Sequence, residues 1–181
     1  MKKYFTSGVL ALILTMTGVV AGHSAGFFKV GEPAPDFTLT SLEGKSVSLA
    51  ALRGHVVVLG LFHICKPCLI QSTALQKVYE ETRGKNVVVI GVNASGDNES
   101  DVKEFLQHFP VTITYPYLLD PTKETDRLYG GGRFIPNVYV IDPEGIIRWQ
   151  RVGGMDLAGH EVIGNEVTKL LGQSGKSDNR L

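Results

Sequence analysis

Two cysteines occur in the 181 residues, Cys65 and Cys68, three positions apart. A bond across so short a loop constrains the unfolded chain far less than a long-range link, so bracing of distant elements explains the pair poorly. At the first turn of a helix, however, the two thiols become a reactive dithiol. Unpaired backbone N–H groups and the positive end of the helix dipole stabilise a thiolate there. Cys65, nearer the exposed end, is the expected nucleophile, and Cys68, one turn deeper, the resolving thiol. Lys66 adds a neighbouring cation, and Pro67 suits the first helical turn, where an N–H would go unpaired anyway. The chemistry is thiol–disulfide exchange. The Cys65 thiolate attacks a partner's disulfide to form a mixed disulfide, Cys68 displaces the partner, and Cys65–Cys68 is left oxidised. Run backwards, the same steps oxidise a partner. No bound cofactor is called for, because the redox-active group is the disulfide itself.

The surrounding pattern supplies the strand and helix that this placement needs. Residues 56–61 form a continuous β-branched and aliphatic run, as in a strand buried on both faces, and residues 65–79 carry Leu69, Leu75 and Val78 at helical spacing. Gly84 closes that helix, residues 87–92 form a second buried run, and helical spacing returns over residues 101–109 after possible caps at Asn98 and Ser100. This β-α-β-α order implies a parallel pair of strands. Ahead of it, residues 36–49 alternate around Glu43-Gly44-Lys45 as a small hairpin. Behind it, residues 137–141 and 146–152 flank the turn Asp142-Pro143-Glu144-Gly145 as an antiparallel pair, and residues 161–171 read as the last helix. The expected architecture is α/β: a mixed central sheet flanked by helices.

A second constellation, Phe134-Ile135-Pro136-Asn137, stands just before a predicted strand, where proline is awkward unless it starts the strand or takes a special bond geometry. A cis Pro136 would set the Ile135 backbone against the dithiol, ready to hold a client peptide as an added strand. His63 fits two descriptions, a proton-dependent charge tuning Cys65 or an ordinary strand-end residue. Asp97 and Glu99 read as solvated loop residues, Trp149 as a packing residue of the hairpin, and Tyr115-Pro116-Tyr117 as a partly buried loop. Gly130-Gly131-Gly132 and Gly153-Gly154 lack the context of a phosphate cradle and read as loops around the active face.

The order Gly31-Glu32-Pro33-Ala34-Pro35-Asp36-Phe37, Glu43-Gly44-Lys45, Cys65-Lys66-Pro67-Cys68, Ile135-Pro136 and Ile141-Asp142-Pro143-Glu144-Gly145 resembles the TlpA/ResA branch of the thioredoxin family, related to AhpC/TSA proteins. The likeness spans residues 30–172. It implies a thioredoxin fold with an N-terminal β-hairpin and a central βα insertion. It also implies an exported or membrane-tethered, monomeric reductant of protein disulfides, fed by a membrane thiol carrier and often serving cytochrome c or copper-site maturation. Two positions depart from that pattern. Ile64 stands where the family usually has Trp, and Leu59 where thioredoxins commonly bury an Asp, so no general base for Cys68 is evident.

Rival readings are weaker. A peroxiredoxin-like peroxidase shares the Pro-Ala-Pro-Asp-Phe entry, but Leu61, Phe62, His63 and Ile64 offer no hydroxyl to orient a peroxide. The pair could be half of a zinc or copper site, but tetrahedral zinc wants four ligands, and His23, His55, His108 and His160 are scattered. A copper-binding metallochaperone would be marked by stoichiometric Cu(I) retention by the reduced protein, lost in Cys65→Ser. Leu69 replaces the His of a haem-attachment motif. Lys+Arg and Asp+Glu both total 18, so no net field draws a polyanion, and nucleic acid is excluded as a partner. Residues 1–25 read as a signal peptide or membrane anchor: Lys2 and Lys3 precede an apolar run over residues 9–20, with Val19, Ala21 and Ala25 as candidate cleavage-site residues. Residues 173–181 read as a flexible polar tail. Periplasmic or other extracytoplasmic placement follows as the expectation.

Overall fold

Seven consecutive buried residues, from Val56 to Phe62, build the strand at the heart of the sheet and lead straight toward Cys65. In the computed structural model, which describes residues 30–130 and 135–177, this strand is the third of seven. The strands are β1 (Thr38–Ser41), β2 (Ser46–Ser48), β3 (Val56–Phe62), β4 (Val87–Asn93), β5 (Tyr117–Leu119), β6 (Asn137–Ile141) and β7 (Ile147–Val152). They form one sheet in the order β2-β1-β5-β4-β3-β6-β7. The β3–β4 and β4–β5 pairs are parallel and the remaining pairs antiparallel, giving the mixed sheet expected from the run order. The signal or anchor segment lies outside the described residues, as do Gly131, Gly132 and Phe134.

Helices α1 (Lys66–Glu81), α2 (Glu99–Gln107), α3 (Glu124–Leu128) and α4 (Gly159–Ser177) cover the sheet, with a short 3₁₀ turn at Ala50–Leu52. On one face Cys68, Leu75 and Val78 of α1, Val102 of α2 and Ile163 and Val167 of α4 pack on Val56, Val58, Phe62, Val138 and Val140. On the other, Val57, Leu59 and Leu61 meet Phe37, Leu49, Tyr129 and Tyr139. Side chains alternate between these two cores along β3, as the pleat requires. Leu59 is fully buried in the second core, an apolar residue filling its site completely.

The structure corrects two expectations. Tyr115-Pro116-Tyr117 is no partly buried loop: both tyrosines are almost fully buried and Tyr117 opens β5. That strand and α3 display no period in the sequence, since three and five residues are too few for one. The last helix begins earlier and ends later than residues 161–171, running to Ser177 and taking in the first part of the expected polar tail. The two hairpins form as expected, β1 with β2 and β6 with β7, and Trp149 faces Val140 across the latter pair, partly buried against the first core.

Candidate active site

Cys65 is the N-cap of α1, with extended backbone, and its Sγ accepts the Cys68 N–H at 3.2 Å. A sulfur thus occupies the place a hydroxyl or carboxylate oxygen takes at an ordinary cap, facing N–H groups the helix cannot satisfy. Cys65 and Cys68 are joined as a disulfide with Cα atoms 5.1 Å apart. Their surroundings differ sharply. Cys65 is half-buried, with exposed Ile64, Lys66 and Pro67 beside it, whereas Cys68 is wholly buried. Pro67 sits in the first helical turn, as the missing N–H allows.

Ile135–Pro136 is a cis bond leading into β6. The Gly153-Gly154 loop joins this element to the motif. A Cβ built on Gly154 would stand 3.5 Å from Pro67 Cβ and 4.0 Å from Pro136 Cγ, so the two prolines border one surface with a side-chain-free residue between them. The next residue ties the loop to the helix, as the Met155 N–H donates to Gln71 Oε1 at 3.0 Å.

His63 is neither a free strand-end residue nor aimed at Cys65 by its backbone. Its N–H donates to Cys68 Sγ at 3.4 Å, and its Nε2 lies 3.7 Å from Asp126 Oδ1 on α3. Asp126 has no signal of its own in the sequence. It reaches the site because α3 is pinned by Asp120, which is 1% exposed and directly follows β5. The Asp120 carboxylate accepts from Glu124 N–H (3.0 Å), Thr125 N–H and Oγ1 (both 2.6 Å) and Thr122 Oγ1 (3.1 Å). That acceptor set is the legible signal: an Asp followed by Pro121, Thr122 and, four and five residues on, the first turn of a helix. Asp97 is also no solvated loop residue. It is half-buried and accepts from Asn93 Nδ2 at 2.9 Å and from Ser95 Oγ, while Glu99 is exposed at the start of α2.

Burial pushes the Asp120 carboxyl up, but the four donors outweigh it and hold the group below the ordinary carboxylate range. For Asp97, likewise, burial acts upward and is overcome by Ser95 and Asn93, with the charges of His63 and Lys123 adding to them. A depressed folded-state value contributes stability that is full above the unfolded value and lost as pH falls through the folded one. Asp120→Ala should therefore cost about 2–3 kcal/mol at pH 7, the scale of hydrogen bonds to a buried charge plus a lost cap. The deficit relative to the parent protein should shrink as pH drops below about 4, where the parent loses the same term. Urea melts at pH 7 and pH 3 measure both; a pH-independent deficit would mean that Asp120 acts through shape alone.

Residues 30–150 match the AhpC/TSA family. The chain belongs to that family. The thiol-disulfide oxidoreductase ResA of Halalkalibacterium halodurans is 30% identical over 152 residues, covering 79% of this chain and 84% of that protein. ResA of Bacillus thuringiensis strain Al Hakam is 29% identical over 162 residues, covering 84% and 91%. Among solved structures, a thiol:disulfide interchange protein of the thioredoxin family from Chlorobium tepidum TLS superposes with a TM-score of 0.60 at 28% identity, covering 80% and 99%. With the Cys65–Cys68 pair capping α1 of a thioredoxin-like fold, this AhpC/TSA member is a thiol:disulfide oxidoreductase acting on protein thiols.

Proposed function

We propose that the protein works outside the cytoplasm as a reductant of protein disulfides, with Cys65 as nucleophile and Cys68 as resolving thiol. The observation that carries the division of labour is the contrast between the two sulfurs: Cys65 reaches the surface at the helix cap and Cys68 is sealed beneath it. Only the outer sulfur can meet a client disulfide. The inner one can reach only Cys65, which makes the second step intramolecular and fast. Lys66 is exposed beside the nucleophile and gives its thiolate a cation. The Pro67–Gly154–Pro136 surface supports docking of a client backbone as an extended segment alongside Ile135.

Export rests on the two lysines and the apolar run at residues 9–20, with residues 1–25 as signal peptide or anchor and residues 30–172 as the working domain. No helix among the described residues is long and apolar enough to cross a membrane. A membrane thiol carrier then supplies electrons, and the clients are extracytoplasmic proteins whose cysteines must be reduced, those of cytochrome c or copper-site maturation among them.

Equilibrium titration of the Cys65–Cys68 couple against a thiol buffer tests the direction. A midpoint near or below about −220 mV is expected, in the range of reducing dithiol proteins. A value near about −120 mV would make the protein an oxidant, and absence of a reversible two-electron couple would remove the reading altogether.

A further inference from the structure

Resolution asks a sulfur that solvent does not reach to become nucleophilic, and the strand before it carries Leu59 rather than a carboxylate. From outside the Cys65–Cys68 motif, the hydrogen-bonding contact to Cys68 Sγ is the His63 N–H at 3.4 Å. The same residue's Nε2 and the facing Asp126 Oδ1 are both shielded from solvent, and no described group hydrogen-bonds either one. At 3.7 Å the two face each other, and they form an ion pair whenever the imidazole carries its proton. Asp97, from the loop after β4, adds a second negative charge toward His63, and is itself offset by Lys123. We propose that Asp126 is a positioning residue for the resolving step: by pairing with the His63 ring it holds the His63 main-chain N–H on the Cys68 sulfur.

The inference rests on the proposed division of labour between the two thiols. In the step concerned, Cys68 Sγ gives up its proton to water and bonds to Cys65 Sγ. The bond from Cys65 to the partner sulfur breaks, and the departing thiolate leaves with the electron pair and takes up a proton from water. The His63 N–H steadies the negative charge as it forms on Cys68. The sign of the Asp126 effect separates this route from a direct one. A carboxylate acting straight through space disfavours a thiolate, so its removal would speed Cys68; acting through His63, it favours the thiolate, so its removal slows Cys68.

The reduced full chain, mixed with 5,5′-dithiobis(2-nitrobenzoate) in a stopped-flow instrument, reports both steps. The first thionitrobenzoate is released when Cys65 attacks, the second when Cys68 resolves the adduct. Asp126→Asn should slow the second release about tenfold, the weight of one hydrogen bond to a charged atom, and leave the first within about twofold. Asp126→Glu should restore most of the rate, and His63→Gln, which leaves α3 unaltered, should be as slow as Asp126→Asn. In the His63→Gln background Asp126→Asn should slow nothing further, the coupling a double-mutant cycle isolates. A second release that is unchanged or faster in Asp126→Asn, or equally slowed with and without His63, overturns the proposal. A parent protein with no second release overturns the assignment of Cys68 itself, and this inference with it.

Discussion

Cys65→Ser is expected to bring the reduction of a protein disulfide down by at least about 10³-fold, the scale on which loss of a catalytic nucleophile is felt. Cys68→Ser should fail differently. Its first attack should proceed, because Cys65 keeps its place as N-cap of α1 and its neighbour Lys66. The cycle then halts, and a mixed disulfide between Cys65 and the client accumulates, visible by mass spectrometry and released by added thiol. The asymmetry follows from burial: Cys68 is 0% exposed and reaches no client, so it cannot replace Cys65. A serine hydroxyl in place of the inner thiol takes no part in disulfide exchange, so nothing displaces the client from Cys65. Were Cys65→Ser instead to trap clients while Cys68→Ser lost the first attack, the roles of the two sulfurs would be reversed. Equal and complete loss of client attachment in both variants would mean that the pair acts only as a unit.

Much of this site was legible because its signals are local. A continuous apolar run, a cysteine in the cap position, Pro67 in the first turn and Leu75 and Val78 at helical spacing agree with one another, and β3 and α1 form where they point. The proline of Ile135-Pro136 announced itself by being unsuited to the strand it precedes. What was not legible is long-range. Asp126 lies far from His63 in the chain and meets it only because β5 pairs with β4 and delivers Asp120 to the start of α3. A three-residue strand after Tyr115-Pro116 shows no alternation, and a five-residue helix shows no amphipathic stripe, so neither could be seen as a carrier of site residues. Asp97 was hidden for a related reason. Its partners Asn93 and Ser95 are close in sequence, but only the turn after β4 folds their side chains onto it.

Gly60→Ala should destabilise the fold by about 3 kcal/mol, at the upper end for an overpacked core, and lower the melting temperature by roughly 6–12 °C for a domain of this size. Gly60 lies in β3 opposite Gly91 of β4, and its backbone is not in the left-handed region, so alanine suits the local conformation. In open space the exchange would stabilise by reducing the freedom of the unfolded chain. Space is what is missing. A Cβ at position 60 would stand 2.5 Å from two ring atoms of Phe62 and 2.8 Å from Leu75 Cδ2. The Phe62 ring cannot retreat freely, since it stacks on Tyr117 with centroids 6.2 Å apart, and Tyr117 in turn lies 3.1 Å from where a Cβ on Gly91 would be. Two paired glycines therefore make the hollow into which the aromatic layer and α1 settle. Because Leu75 belongs to α1, relief on that side moves the helix that carries both cysteines. The double variant Gly60→Ala with Phe62→Leu should recover part of the loss, since trimming the ring opens the space the methyl takes, whereas Phe62→Leu alone should destabilise by leaving a void. Thermal melts of the three variants decide it, and strictly additive losses would show that the ring and the missing side chain do not share that space.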